Sequence, residues 1–122
     1  MKKRPQAGSN SANFSFRGQV WIAKDKSTFL GSGRITLLEK IKECGSITEA
    51  AKSMDMSYKH AWDLIDSMNS KSEKPLVVTS TGGKGGGGAK LTEAGQRAID
   101  IFHAFHRDFR QFLRREENKF EL

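Results

Sequence analysis

A short run of hydrogen-bonding side chains, Ser57-Tyr58-Lys59-His60, stands where a helix is predicted to begin, and Asp63 follows one turn later. A lysine can donate to guanine O6 and N7 or to a phosphate, and a tyrosine can donate to phosphate or contact a thymine methyl. His60 is equally consistent with an ordinary surface histidine. We interpret these residues as candidate contacts to double-stranded DNA.

Two short helices joined by a tight turn would position this run, and both lie within residues 45–69. The first is predicted over Ile47–Met54 and the second over Tyr58–Asn69, with Ser46 and Ser57 as N-caps. Aspartate tolerates a left-handed backbone, so Asp55 can form the turn although glycine is common there. Apolar residues recur at helical spacing on each helix, namely Ile47, Ala50, Ala51, Met54 and then Ala61, Trp62, Ile65, Met68. This pattern indicates a helix-turn-helix in which Trp62 lies in the core.

The start of the first helix is a second candidate contact. Ser46 and Glu49 match the S-x-x-E capping box, in which each side chain bonds the other residue's backbone N–H. The N-terminus of a helix favours an anion. Ser46 and Thr48 are therefore predicted to contact DNA phosphates.

A glycine-rich loop follows, predicted to join two short strands over residues 76–80 and 89–91. Two strands with such a loop after a helix-turn-helix describe a wing. Glycine backbone can approach phosphates closely, so we expect Gly83, Lys84 and Gly85 to contact the DNA backbone or minor groove. Gly83, Gly85 and Gly88 also match G-x-G-x-x-G, but a glycine run satisfies almost any glycine spacing, and no acidic residue ends a second strand at the distance a dinucleotide site needs.

The other elements complete a mainly α (α+β) winged helix-turn-helix with a small antiparallel sheet. Residues 1–13 are predicted to be a disordered basic arm, either an ordinary unstructured terminus or a segment that lies on nucleic-acid phosphates. The winged-helix domain would fill residues 14–122. It would begin with a strand over residues 18–24, which could add a third strand to the sheet of the wing, and a helix over Arg34–Cys44 would follow.

A long C-terminal helix is predicted over about residues 92–117, with Thr92 as its cap. Its second half would expose apolar side chains unless another subunit covers them or the helix folds back within one chain. Homodimerisation is the interpretation we favour. The residues assigned to it share one stripe at three- and four-residue spacing: Phe102, Phe105, Phe109, Phe112 and Leu113.

Composition limits the remaining possibilities. The net charge is +7, and residues 1–31 contribute +5 of it, which favours a polyanionic partner. The single cysteine fits a reducing cytosol, and no run of about eighteen apolar residues could span a membrane. His103 and His106 share a helical face without an evident third ligand. We therefore expect a cytoplasmic protein that is not an enzyme, with no catalytic residues, no metal and no cofactor.

Several motifs resemble the N-terminal DNA-binding domain of the ModE family of molybdate-responsive transcriptional regulators, which is itself similar to the winged helix of LysR-type regulators. They are Gly33-Arg34-Ile35, Gly45-Ser46-Ile47, Ser57-Tyr58-Lys59, Ala61-Trp62, Thr81-Gly82-Gly83-Lys84-Gly85-Gly86-Gly87-Gly88-Ala89 and Gly95-Gln96-Arg97. The resemblance implies a DNA-binding, dimerising module that reads a palindromic operator. Full-length members carry molybdate-binding domains where this chain ends, so we expect no small-molecule effector site here. The alternative is an interaction module that heterodimerises with a full-length regulator and modulates it.

Overall fold

The computed structural model describes residues 13–80 and 88–122, so the predicted arm lies outside it except for residue 13. The fold is the expected winged helix, mainly helical with short antiparallel hairpins. Its elements are β1 (Ile22–Lys24), β2 (Ser27–Leu30), α1 (Ser32–Cys44), α2 (Ile47–Ser53), α3 (Tyr58–Lys71), β3 (Val77–Thr79), β4 (Ala89–Leu91) and α4 (Glu93–Lys119). The described chain forms two compact units, Trp21–Phe102 and residues 13–20 with His103–Leu122.

The core of the first unit is built on α1, which begins two residues before the predicted start. Its inward-facing apolar residues are all buried, namely Ile35, Leu37, Leu38 and Ile41. Gly45 ends the helix in the left-handed conformation, with φ of 68°, and its N–H donates to the Ile41 carbonyl at 2.8 Å. The chain therefore turns sharply from α1 into α2.

The N-terminal strand forms its own hairpin, which corrects two predictions. Strand β1 is shorter than the predicted 18–24 and pairs antiparallel with β2, which was not predicted as a strand. The two hairpins form separate two-stranded sheets, so the suggested third strand of the wing sheet is wrong. Asp25 and Lys26 both have positive φ, 52° and 69°, as a two-residue primed turn requires. Because they are not the Asn-Gly or Asp-Gly pair typical of that turn, its sequence signal is weak.

The start of α4 is fixed against the beginning of β3. Thr92 caps the helix as predicted, since its Oγ1 accepts from the Gly95 N–H at 3.0 Å. The same hydroxyl donates to the Pro75 carbonyl at 2.7 Å. A Cβ at Gly95 would lie 2.4 Å from the Leu76 carbonyl oxygen, so only glycine fits this approach. The contacts of Thr92 and Gly95 therefore pack the first turn of α4 against the residues just before β3.

In the second unit, the chain's own N-terminal segment covers part of α4. The Phe14 and Phe16 rings lie edge-on to Phe120, with centroids 5.1 and 5.6 Å apart. The Phe16 N–H donates to the Glu117 carboxylate at 2.7 Å, and Gly18 packs on the ring of Phe109. The alternation of Phe14 and Phe16 was the available sequence signal for this packing. The predicted stripe is thus partly covered within the chain.

Candidate nucleic-acid interface

The turn between α2 and α3 is built as the sequence predicts. Ser46 Oγ accepts from the Glu49 N–H at 3.1 Å, and Ser57 Oγ accepts from the His60 N–H at 3.0 Å. Asp55 has a φ of 54°, the left-handed conformation expected of it, and the next N–H, of Met56, donates to the Ala51 carbonyl at 3.0 Å. Both helices therefore begin at a side-chain cap, which fixes where α3 starts.

One face of α3 is buried, and Trp62 is not part of it. Ala61, Ile65 and Met68 are at most 1% exposed, whereas Trp62 is 40% exposed. Trp62 lies 100° around the helix from Ala61, at the edge of the buried stripe. The prediction that Trp62 belongs to the core is wrong, because a small residue, Ala61, takes the central position.

In the first turn of α3, the residues predicted to contact DNA are exposed to solvent. Ser57, Tyr58, Lys59 and His60 are all exposed. Lys59 Nζ lies 2.9 Å from Asp63 Oδ2, with both side chains mostly exposed, at 84% and 62%. A donor and an acceptor are thus held side by side and exposed to solvent.

At the start of α2, the two predicted phosphate contacts differ in exposure. Thr48 is exposed, whereas Ser46 is half-buried and its Oγ accepts the Glu49 N–H. The Glu49 carboxylate lies 3.8 Å from Lys52 Nζ, at ion-pair distance. Thr48 is therefore the more accessible of the two hydroxyls, and Ser46 acts first as a helix cap.

The base of the wing is fastened beside the start of α2. The Ser80 N–H donates to the Gly88 carbonyl at 2.9 Å, and the Gly88 N–H donates to Ser80 Oγ at 3.1 Å. The Ala89 N–H donates to the Gly45 carbonyl at 3.0 Å, and a Cβ at Gly88 would lie 3.2 Å from that oxygen. The two residues that flank the loop, Ser80 and Gly88, therefore lie beside the α1–α2 junction. Its predicted contacts, Gly83, Lys84 and Gly85, lie outside the described residues.

Asn69 joins α3 to the wing through side-chain hydrogen bonds that were not predicted from the sequence. Its Oδ1 accepts from the Leu76 N–H at 2.8 Å and from the Val77 N–H at 3.3 Å. Its Nδ2 donates to the Val77 carbonyl at 2.9 Å. The available sequence signal for these bonds was an asparagine near the end of a predicted helix, a few residues before a predicted strand. These bonds fix the start of β3 relative to α3.

The residues predicted to form the dimer surface differ in how far they are exposed to solvent. Phe105 and Phe112 are 40% and 47% exposed, and Phe109 and Leu113 are half-buried. Phe102 is 2% exposed, because it belongs to the core of its own chain. Its assignment to a dimer surface is therefore corrected. Phe105 and Phe112 are therefore the most exposed of the five residues assigned to the stripe.

Within residues 13–80 and 88–122, no three His, Cys, Asp or Glu side chains are grouped so that they could hold a metal ion. Over those same ranges, no helix is both long and apolar enough to cross a membrane.

Residues 33–96 match the family of bacterial regulatory helix-turn-helix proteins of the lysR type. This range runs from the second residue of α1 to the first turn of α4 and includes the helix-turn-helix. The chain belongs to this family. The matched family consists of regulatory proteins that carry a helix-turn-helix. The match lies wholly within the unit Trp21–Phe102.

Named relatives support a ModE-like module. The chain is 42% identical over 100 residues to the molybdenum transport protein ModE of Azotobacter vinelandii, covering 82% of this chain and 37% of that protein. It is 53% identical over 74 residues to the DNA-binding transcriptional dual regulator ModE of Escherichia coli strain K12, covering 61% and 28%. It is 39% identical over 93 residues to the molybdenum-pterin-binding protein MopB of Rhodobacter capsulatus, covering 76% and 34%. The chain thus spans about a third of the length of these relatives.

Proposed function

We propose that the chain binds a palindromic operator as a homodimer, with the first turn of α3 in the major groove. The observation that carries this proposal is the exposed Lys59–Asp63 pair, 2.9 Å apart, on a helix whose opposite face is buried. The major groove, about 12 Å wide, admits one α-helix. Two copies related by a two-fold axis would place their reading helices about 34 Å apart.

Within this proposal the pair reads a G·C base pair. The Lys59 ammonium donates to guanine O6 and N7, and the Asp63 carboxylate accepts from cytosine N4. Tyr58 and His60 contact the neighbouring backbone or bases, and Thr48 and Ser46 face phosphates at the start of α2. The wing, through Gly83, Lys84 and Gly85, follows the backbone or the minor groove.

The test is selection of bound sequences from random DNA, followed by binding titrations on the selected site. A palindrome is the expected result, and a single unpaired half-site would contradict the dimeric part of the proposal. Lys59→Ala should reduce discrimination at one base pair by about 1–3 kcal/mol. Lys40→Ala on α1 is the matched control, since Lys40 also pairs with a carboxylate, Glu43, at 3.6 Å. Equal effects of the two substitutions would exclude base reading by Lys59.

The exposed rings of Phe105 and Phe112 support a second copy as the partner, and they equally favour a heterodimer with a full-length relative. Sedimentation of the purified chain tests the first assembly, and mixing with such a relative tests the second. Replacing both rings by serine should dissociate either dimer. A chain that remains monomeric at operator-binding concentrations would contradict homodimerisation.

A further inference from the structure

A cluster of cationic side chains surrounds Ser67 near the C-terminal end of α3. Arg34 Nη1 donates to Ser67 Oγ at 3.0 Å and to the Thr28 carbonyl at 3.1 Å. Lys71 Nζ donates to the same hydroxyl at 2.8 Å. Lys24 Nζ, from β1, donates to the Lys71 carbonyl at 3.0 Å. We call Lys24, Arg34, Ser67 and Lys71 the Ser67 cluster. Two cationic groups therefore share one neutral oxygen, and a third lies beside them.

Among the residues that the structure describes, no carboxylate forms an ion pair with these cationic groups. Over residues 13–80 and 88–122, Lys24, Arg34 and Lys71 have only hydroxyl and carbonyl acceptors, and none lies within 4.0 Å of an Asp or Glu oxygen. On the surrounding helices, Lys40, Lys52 and Lys59 each pair with a carboxylate, whereas Lys42 bonds the neutral side-chain oxygen of Gln96. Like charges that share an acceptor repel, so the cluster holds an excess of positive charge that the fold leaves unneutralised.

Helix dipoles explain only part of the cluster. Lys71 and Lys24 lie at the C-terminal end of α3, where a cation is favourable. Arg34 lies in the first turn of α1, where the dipole disfavours a cation and no acidic residue compensates. Burial lowers the pKa of the Arg34 guanidinium, because partial loss of water destabilises its charge. Arg34 therefore bears a cost that an external anion would relieve.

We propose that the Ser67 cluster is a binding site for a phosphate group. Guanidinium and ammonium groups donate charge-assisted hydrogen bonds to phosphate oxygens, and Ser67 Oγ–H is a further donor at the same point. The phosphate comes either from the DNA backbone or from free inorganic phosphate, and the DNA source rests on the proposed function. Helix α3 has 14 residues, about 21 Å. That exceeds the width of the major groove, so a helix that lies across the groove with its first turn on the bases brings its far end to the phosphates lining the groove.

The experiment compares the full chain with a Lys24→Gln/Lys71→Gln variant and with a matched control, Lys26→Gln/Lys74→Gln, in which two exposed lysines of the neighbouring loops lose the same charge. Thermal unfolding is followed as sodium phosphate replaces sodium chloride at constant ionic strength. Affinity for the selected DNA is measured over a range of salt concentrations. Loss of one phosphate contact reduces the slope of log K against log salt by about 0.9 units.

The outcomes separate the two sources. A thermal shift with phosphate in the wild type and the control, absent in the variant, supports a free-phosphate site. A reduced salt slope in the variant alone, without that shift, supports a backbone phosphate. Lower thermal stability of the variant with neither effect would mean that the lysines only cap α3, which overturns the proposal. If the wild type selects no DNA sequence, the proposed function fails, while the phosphate titration still decides the site.

Ser67→Asp supplies a second test that does not depend on removing a cation. A carboxylate at this point should raise the midpoint of thermal unfolding relative to Ser67→Ala, since it neutralises the cluster from within. It should also abolish the phosphate response or reduce the salt slope. A midpoint no higher than that of Ser67→Ala would show that the cations do not converge on a common anion position, and would overturn the proposal.

Discussion

The two ends of α3 differ in the charged groups that surround them. At the first turn, Lys59 and Asp63 form an exposed pair of opposite charges, whereas at the last turn Arg34 and Lys71 share the neutral hydroxyl of Ser67. The first end offers solvent both a donor and an acceptor, which suits discrimination among base edges. The second offers only donors, which suits any phosphate regardless of sequence. Under the two proposals, α3 would contact bases with its first turn and phosphates with its last.

The middle of α3 holds these two ends in fixed positions. Ala61, Ile65 and Met68 are buried against the core, and Asn69 bonds the start of β3. Closely packed side chains leave little freedom for the helix to rotate or slide. The difference between the ends can therefore be tested by loosening the middle or by altering one end at a time.

The largest effect is expected from Ile65→Ala. Ile65 is 1% exposed, and truncating a buried isoleucine to alanine costs about 2–5 kcal/mol in the free energy of unfolding. Both ends should lose their function together, with weaker DNA binding and a lower salt slope. Denaturant unfolding measures the cost. Asp66→Ala, an exposed neighbour on the same helix, is the control and should stay within about 0.5 kcal/mol.

Asn69→Ala should cost about 2–3 kcal/mol, because it removes three hydrogen bonds worth about 1 kcal/mol each and leaves the Leu76 N–H without its acceptor. The wing should loosen relative to α3, which hydrogen exchange at Leu76 and Val77 would detect. Asn69→Asp keeps the acceptor, but it loses the bond to the Val77 carbonyl and sets a carboxylate oxygen opposite that carbonyl oxygen. Hydrogen exchange therefore decides the point: protection of the Leu76 N–H should be lost in Asn69→Ala and kept in Asn69→Asp, and equal loss in both would contradict the role given to the acceptor bonds.

Ser57→Ala tests the reading end alone, with an expected cost of about 1 kcal/mol from loss of the N-cap. The first turn of α3 should fray, so discrimination among bases should fall while the salt slope changes little. Ser70→Ala near the other end is the comparison, since its hydroxyl donates to the Ser67 carbonyl within the helix. A larger loss of base discrimination from Ser70→Ala would contradict the division between the two ends.

The reading end could be predicted from sequence, and the positioning end could not. Caps and helical periodicity are local, so Ser46, Ser57 and the buried face of α3 followed from a few neighbouring residues, except for Trp62 at the edge of the stripe. The Ser67 cluster joins β1, α1 and α3, with Arg34 and Ser67 33 residues apart. No local pattern reports such a contact.

The same distinction holds for the rest of the fold. Helices α1 and α4 were predicted to within two residues at each end, because their signals repeat along the helix. Hairpin β1–β2 was missed because its turn, Asp25-Lys26, uses left-handed residues without glycine. The packing of Phe14 and Phe16 on Phe120 joins the two termini, which are about a hundred residues apart.

The smallest effect on stability is expected from Asp63→Asn. An exposed pair four residues apart on a helix contributes only about 0.3–0.5 kcal/mol, so the free energy of unfolding should barely change. Base preference should nevertheless change, because an asparagine amide can donate as well as accept and no longer requires cytosine N4 opposite it. Repeating the DNA selection with Asp63→Asn measures this directly. An unchanged selected sequence would mean that Asp63 only orients Lys59, and the contribution of this pair to recognition would then rest on the ammonium alone.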